Sequence, residues 1–308
     1  MPEALVITGP TASGKSALAY RLAEQFDIEV INLDSAQVYR DLDIGTAKPS
    51  RQQQLKVPHH LIDIREPSQP YTAFEFCKDA RAALVKIKGS GRTPVFVGGT
   101  MLYLKALREG IAEMPAADPD VRAEILRQAE LKGWPEMHER LKRVDPVAAA
   151  RIKSTDRQRL QRALEVHELT GKTLSDFHAK GHQGLSSDLL EVAIVPTDRS
   201  ELHQKIAQRF NDMLEMGLVE EVERLRQSYR LEPSLPSMKA VGYRQVWQYL
   251  EGEIDHATMR DKAIIATRQL AKRQYTWLRS FAKIKILSQP SLDQLLKIEG
   301  VDTILGSG

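Results

Sequence analysis

A single cysteine, Cys77, among 308 residues leaves no partner for an intramolecular disulfide and fits a reducing compartment, so a cytoplasmic setting is expected. No run of eighteen apolar residues occurs, which argues against a membrane-spanning helix. The opening MPEALVITGP carries an acidic residue and runs straight into a glycine motif. It lacks the basic and apolar regions of a secretion signal, so no export is expected. Proline and glycine, at 15 and 18 residues, are not in excess, which excludes collagen-like and low-complexity chains. The eight histidines have no metal-binding spacing; His59 and His60 are adjacent and would point apart in a strand, so no zinc site is expected. A net charge of +3 is too small by itself to argue for a nucleic-acid partner. Where the charges gather is more informative.

What the chain does have is a soluble-domain composition, 42% apolar and 28% charged, and a sharply defined first motif. Residues 4–8 (ALVIT) read as a strand, 9–16 as GPTASGKS, and 16–26 as a helix with Leu18, Leu22 and Phe26 on one face. This is a phosphate-binding P-loop in the context it needs. Gly9, Pro10, Thr11, Ala12, Ser13 and Gly14 let backbone N–H groups converge on phosphate oxygens at a helix N-terminus. Lys15 adds a point charge and Ser16 a hydroxyl able to ligate Mg²⁺.

Two further strands, 29–33 (EVINL) and 94–97 (PVFV), end at Asp34 and at Gly98-Gly99-Thr100, and a helix spans 101–107. The alternation predicts an α/β fold, a P-loop NTPase-like parallel sheet flanked by helices. Ligands of such folds gather at the carboxyl ends of strands, where the P-loop, Asp34 and Thr100 all lie. Asp34 suits a general base, a Mg²⁺ ligand or a plain helix cap, and Thr100 has the same bland reading as a cap. After MPAADP at 114–119 the pattern is helical and charged, which predicts an all-helical insertion domain at 118–189. It would include a loop at 180–187 and split a core domain of 1–117 and 190–308. Long helices are expected at 200–229, 238–250 and 255–283, with a strand at 190–195; the last twenty residues are weakly patterned.

Positive charge concentrates twice. Residues 139–162 hold eight Lys/Arg against three Asp/Glu, and 259–285 hold eight against one. In the second stretch Arg268, Lys272, Tyr275 and Arg279 form one helical stripe, with Trp277 nearby, while Ile264, Ala271 and Leu278 recur every seven residues as a buried one. Such a surface suits phosphate contact and base stacking, and equally a solvated face. At 241–244, Val-Gly-Tyr-Arg is a second basic-aromatic turn in which Gly242 would allow close backbone approach. No Walker-B carboxylate and no Asn-Lys-x-Asp motif accompanies the P-loop. From the residues alone, a small-molecule kinase and a nucleotide-switched RNA-binding protein both remain open.

GPTASGKS together with NLDSAQVYRDLDIGTAKP (32–49), VGGTMLYLKAL (97–107), DPVAAARI (145–152), RQRLQRALEV (157–166), VGYRQ and TRQLAKRQYTWLR (267–279) resembles the bacterial tRNA dimethylallyltransferases. The resemblance spans nearly the whole chain in the family's order. It implies transfer of a dimethylallyl group from dimethylallyl diphosphate to the exocyclic amine of the adenosine immediately 3′ of the anticodon, with Mg²⁺ as cofactor and diphosphate released. It makes Asp34 the base, has Thr100 bond the departing oxygen and brings Arg209 to the diphosphate. It assigns tRNA contacts to Asp34, Ser35, Ala36 and Gln37, to Arg122, and to Gln158, Arg159, Leu160, Gln161 and Arg162. It assigns further ones to Lys239, Ala240, Val241, Gly242, Tyr243 and Arg244, and to Lys272, Arg273, Gln274, Tyr275, Thr276, Trp277, Leu278 and Arg279. The partner implied is the tRNA anticodon stem-loop; neither a membrane nor an obligate protein partner is called for.

Overall fold

The computed structural model describes residues 2–179, 184–185 and 189–306. It divides into two compact units, Met1–Arg108 with Leu185–Gly308, and Glu109–Gly184. The first is built on six strands: β1 (Ala4–Thr8), β2 (Ile28–Asn32), β3 (His59–His60), β4 (Thr93–Val97), β5 (Leu189–Ile194) and β6 (Lys285–Leu287). All pair in parallel, in the order β3-β2-β4-β1-β5-β6. Every residue of β1, β2 and β4 is buried, Glu29, Asn32 and Thr93 included, as expected for strands of a sheet covered on both faces.

Helices α1 (Lys15–Ala23), α2 (Arg51–Lys56), α3 (Ala73–Gly89) and α4 (Met101–Glu109) come first along the chain. The second unit holds α5 (Pro119–Lys132), α6 (Trp134–Val144), α7 (Pro146–Arg151), α8 (Arg157–Thr170) and α9 (Leu174–Ala179). There follow α10 (Arg199–Glu215), α11 (Leu218–Ser228), α12 (Tyr243–Leu250), α13 (His256–Ser280), α14 (Leu292–Leu296) and α15 (Val301–Leu305). Among the described residues no helix is long and apolar enough to cross a membrane.

Leu5 and Ile7 of β1 pack with Leu18 and Leu22 of α1 and with Leu295 and Ile304 near the C-terminus. The last segment, weakly patterned in sequence, therefore closes the core. Five-residue helices and a three-residue strand are too short to show a period, although Leu287, Leu292, Leu295, Val301, Ile304 and Leu305 are buried. The helix expected at 200–229 is two helices, because Gly217 adopts φ +94° and turns the chain. The one expected from 238 begins only at Tyr243, after Gly242 at φ +96°. That positive φ, rather than the close approach expected, is what requires glycine there; a Cβ on Gly242 would meet nothing nearer than 3.7 Å. The loop expected at 180–187 lies, apart from Gly184 and Leu185, outside the described residues.

A buried carboxylate fixes the loop that follows β2. Glu221 of α11 accepts hydrogen bonds from the N–H groups of Asp43 (3.2 Å), Ile44 (2.7 Å) and Gly45 (3.3 Å), and from the Tyr243 hydroxyl (2.6 Å). Burial and the Glu221 charge hold the Tyr243 phenol well above its ordinary range, so it stays a donor. Replacing Glu221 with Ala strands four donors and should cost about 3 kcal/mol, whereas Tyr243→Phe removes one bond and should cost about 1 kcal/mol. Thermal denaturation of the two variants reads the difference; equal melting temperatures would refute the clamp.

In the helical unit Ile125, Leu141, Leu160 and Leu164 make the core. Glu165, buried, accepts from Arg122 Nε (2.8 Å), Arg162 (2.8 Å) and the Asp118 N–H (2.9 Å). These bonds together hold the carboxyl of Glu165 below its usual range against burial, the largest single influence and one that acts upward.

Candidate active site

Strand register brings the three marked strand ends level. Ile7 of β1 pairs with Val97 of β4, and Val97 pairs with Asn32 of β2. Gly98 must be glycine here, since a Cβ on it would lie 2.2 Å from the Leu33 carbonyl oxygen. The Ser35 N–H donates to Thr100 Oγ1 at 2.9 Å, and the Thr100 N–H donates to the Leu33 carbonyl at 3.1 Å. The Thr100 hydroxyl therefore ties the β2 and β4 ends together, while its carbonyl accepts the Tyr103 and Leu104 N–H groups at the start of α4. Its own proton rests on a long 3.3 Å contact to Ser35 Oγ and can turn to an incoming oxygen. Asp34 Oδ1 accepts the Ala36 N–H at 2.8 Å, which fixes the carboxylate by one oxygen.

The P-loop leads from β1 into α1, with Gly14 left-handed at the helix start. Lys15 Nζ donates to the Gly9 carbonyl (3.0 Å) and the Pro10 carbonyl (2.6 Å). Burial, and then the Arg209 charge, lower its pKa to about 7, with Asp34 pulling the other way. Burial also lowers Arg209, and Asp34 again opposes. Two withdrawn cations thus face one carboxylate, a local excess of positive charge that an anion would satisfy. The buried Ser13 Oγ has no protein partner, an orphaned donor inside an anion-binding loop.

Beside the loop lies a cavity of about 480 Å³. Thr11, Ala12, Asp34, Ser35, Ala36, Thr100 and Arg209 give it a polar side. Ile206, Phe210 and Met213 of α10, with Leu270 and Trp277 of α13, give it an apolar wall. Lys239, Ala240, Val241, Arg273 and Gln274 reach the same cavity. The spacing of Ile206, Phe210 and Met213 at i, i+4 and i+7 is visible in the sequence, but it is equally that of an ordinary core stripe.

Several expected tRNA contacts are placed otherwise. Tyr243 and Leu160 are 0% exposed and Leu278 4%, so their side chains belong to the core and do not offer a surface to RNA. Gln274, 6% exposed, accepts from the Thr11 N–H (2.9 Å) and donates to the Gly99 carbonyl (2.8 Å). Gly242 is buried, and Gln37 donates to the Thr46 and Ala47 carbonyls. Arg122 and Arg162 grip Glu165, and Gln161 donates to the Arg122 carbonyl. Tyr275 spends its hydroxyl on the Pro196 carbonyl at 2.9 Å, beneath the Arg199 guanidinium. Exposed candidates are Gln158 and Arg159 in the helical unit, where Arg122 is exposed too while it grips Glu165, and Ser35, Lys239, Arg244, Lys272, Arg273, Thr276 and Arg279 in the other. Trp277 is half-buried on the cavity, its ring 5.8 Å from Lys105 Nζ.

Residues 37–281 match the IPP transferase family. The chain belongs to that family. It is 51% identical to a tRNA dimethylallyltransferase of Ralstonia nicotianae, with 96% of this chain and 95% of the relative covered. To one from Thioalkalivibrio sulfidiphilus it is 53% identical, over 95% and 92%. Among solved structures, the tRNA isopentenylpyrophosphate transferase of Bacillus halodurans superposes with a TM-score of 0.67 at 34% identity, covering 99% of this chain and 96% of that one. A eukaryotic dimethylallyltransferase, crystallised in the act of modifying tRNA, gives 0.78 at 28% identity, over 99% and 78%. The P-loop at 9–16 lies upstream of the segment that matches the family.

The implied Mg²⁺ can be tested against the donor set. Among the described residues no three His, Cys, Asp or Glu cluster to cage a metal. Ser16 stands exposed at the first turn of α1, and one oxygen of Asp34 has no protein hydrogen bond. Few protein oxygens, with the rest from water and phosphate, is the usual Mg²⁺ arrangement. The residues present fit the ion.

Proposed function

We infer that this protein transfers a dimethylallyl group to tRNA, and we propose dimethylallyl diphosphate as donor and the exocyclic amine of the adenosine 3′ of the anticodon as acceptor. The observation that carries the reading is that Asp34, Thr100 and Arg209 line one cavity that also has an apolar wall, with the Lys15 amine in electrostatic reach of Asp34 and Arg209. The anionic end of the donor meets the loop, and its five-carbon chain meets Ile206, Phe210 and Met213. A neutral adenine amine is a poor nucleophile because its lone pair is delocalised into the ring. Asp34 takes its proton as the N–C bond forms and the C–O bond to diphosphate breaks. Loop N–H groups, Lys15 and Arg209 stabilise the charge gathering on the leaving diphosphate, and Thr100 donates to its departing oxygen. Mg²⁺, held in part through Ser16, would supply further neutralisation of that charge.

The target base must leave its stack to reach the cavity, at a cost of a few kcal/mol. Lys272 and Arg273 are exposed on α13, and their charge suits contact with RNA phosphates. Changing both to Ala should weaken tRNA binding and reduce the slope of log affinity against log salt by about 1–2. Filter binding across salt concentrations reads this; unchanged affinity and slope would leave α13 a solvated face.

The whole reading is tested by incubating the purified protein with labelled dimethylallyl diphosphate, Mg²⁺ and unmodified tRNA. Label should enter the tRNA at the base next to the anticodon. An unlabelled tRNA, with ATP hydrolysed instead, would overturn it.

A further inference from the structure

The family resemblance places Gln274 among the residues that touch tRNA, but its side chain is buried, with both the amide oxygen and the amide nitrogen bonded within the protein. The amide oxygen accepts the Thr11 N–H at 2.9 Å and the amide nitrogen donates to the Gly99 carbonyl at 2.8 Å. Each partner belongs to a peptide unit that also contacts the chemistry. The Pro10–Thr11 peptide offers its N–H to Gln274 and its carbonyl to Lys15 Nζ at 2.6 Å. The Gly99–Thr100 peptide offers its carbonyl to Gln274 and its N–H to the Leu33 carbonyl at 3.1 Å, just before Asp34. One amide thus holds the peptide planes on which both Lys15 and Thr100 depend. The fit is tight, since a Cβ on Gly99 would lie 2.5 Å from Gln274 Nε2.

We propose that Gln274 is a positioning residue for the transfer reaction: it sets the P-loop and the Thr100 strand end at the separation that a diphosphate must bridge, and does not contact tRNA. The inference rests on the loop being the diphosphate site. Only a neutral amide meets both demands, an acceptor toward Thr11 and a donor toward Gly99. A carboxylate at this position keeps the first bond and turns the second into repulsion. Protonation of that carboxyl restores a donor.

The test uses the full-length protein with Gln274→Ala, Gln274→Glu and Lys15→Met. Inorganic diphosphate binding, tRNA binding, and kcat and KM are measured for each from about pH 5.5 to pH 8. Gln274→Ala should lose about tenfold or more in diphosphate affinity and in turnover, with tRNA affinity changed less than about twofold. Gln274→Glu should be similarly impaired at neutral pH and recover relative to wild type as pH falls. The charged groups around the site, Asp34, Lys15, Arg209 and Arg273, are common to both proteins, so the ratio removes their titration. A loss of tRNA affinity with diphosphate binding intact would make Gln274 an RNA contact and overturn the proposal. So would a Gln274→Glu protein that folds yet shows no recovery at low pH. If Lys15→Met binds diphosphate as wild type does, the reading of the loop itself fails; if only the Gln274 variants do so, this inference alone fails.

Discussion

Asp34→Ala should turn over at least about 10²-fold more slowly than wild type, with tRNA affinity nearly unchanged. The expectation follows from what the carboxylate is attached to. One oxygen is committed to the Ala36 N–H, so the side chain is oriented without being consumed. Lys15 and Arg209 lie within electrostatic reach of it, and its second oxygen has no protein hydrogen bond and lines the cavity. Asp34→Asn is the sharper comparison, because the amide keeps an acceptor for Ala36 but cannot accept a proton. It should be as slow as Asp34→Ala and at least as stable. Single-turnover kinetics with saturating tRNA separate the chemical step from binding. If tRNA affinity collapses while the chemical step survives, Asp34 is a binding residue and the base lies elsewhere.

How much of this site the sequence shows depends on how local each feature is. The P-loop, Asp34 and Thr100 are legible because each ends a short apolar run, and strand ends in a parallel sheet converge on one edge. Gln274 and Glu221 are not. Their partners lie 263 and 178 residues away in sequence, and nothing about a glutamine or glutamate in a helix announces such a bond. Tyr243 misleads for a related reason. A tyrosine between glycine and arginine looks like an RNA-facing turn, yet the helical phase that sends it to Glu221 is set by where α12 begins. Arg122 and Arg162 count as positive charge in the sequence, but much of that charge is taken up by the buried Glu165.

Lys15→Met should lower turnover by about 10²–10³-fold and abolish most diphosphate affinity, while making the folded protein more stable at neutral pH. The two effects share one cause. In the folded protein burial and Arg209 bring the Lys15 pKa to about 7, from 10.5 when the group is free. Unfolded chains therefore bind more protons between those values, and the contribution of this group to stability rises with pH across that window. Below pH 7 the penalty on the fold is fully present; above 10.5 it is gone. Removing the ammonium lifts the penalty but forfeits the bonds to the Gly9 and Pro10 carbonyls. The net gain near pH 6 should be about 2 kcal/mol, shrinking as pH rises. Binding has the opposite sense. A bound diphosphate stabilises the protonated amine, so the wild-type advantage over Lys15→Met in diphosphate affinity should be greatest below pH 7 and fall above it. Thermal melts and calorimetric titrations of both proteins between about pH 6 and pH 9 check the pair of trends. A variant less stable than wild type at every pH would show that the two carbonyl bonds outweigh the cost of the buried charge.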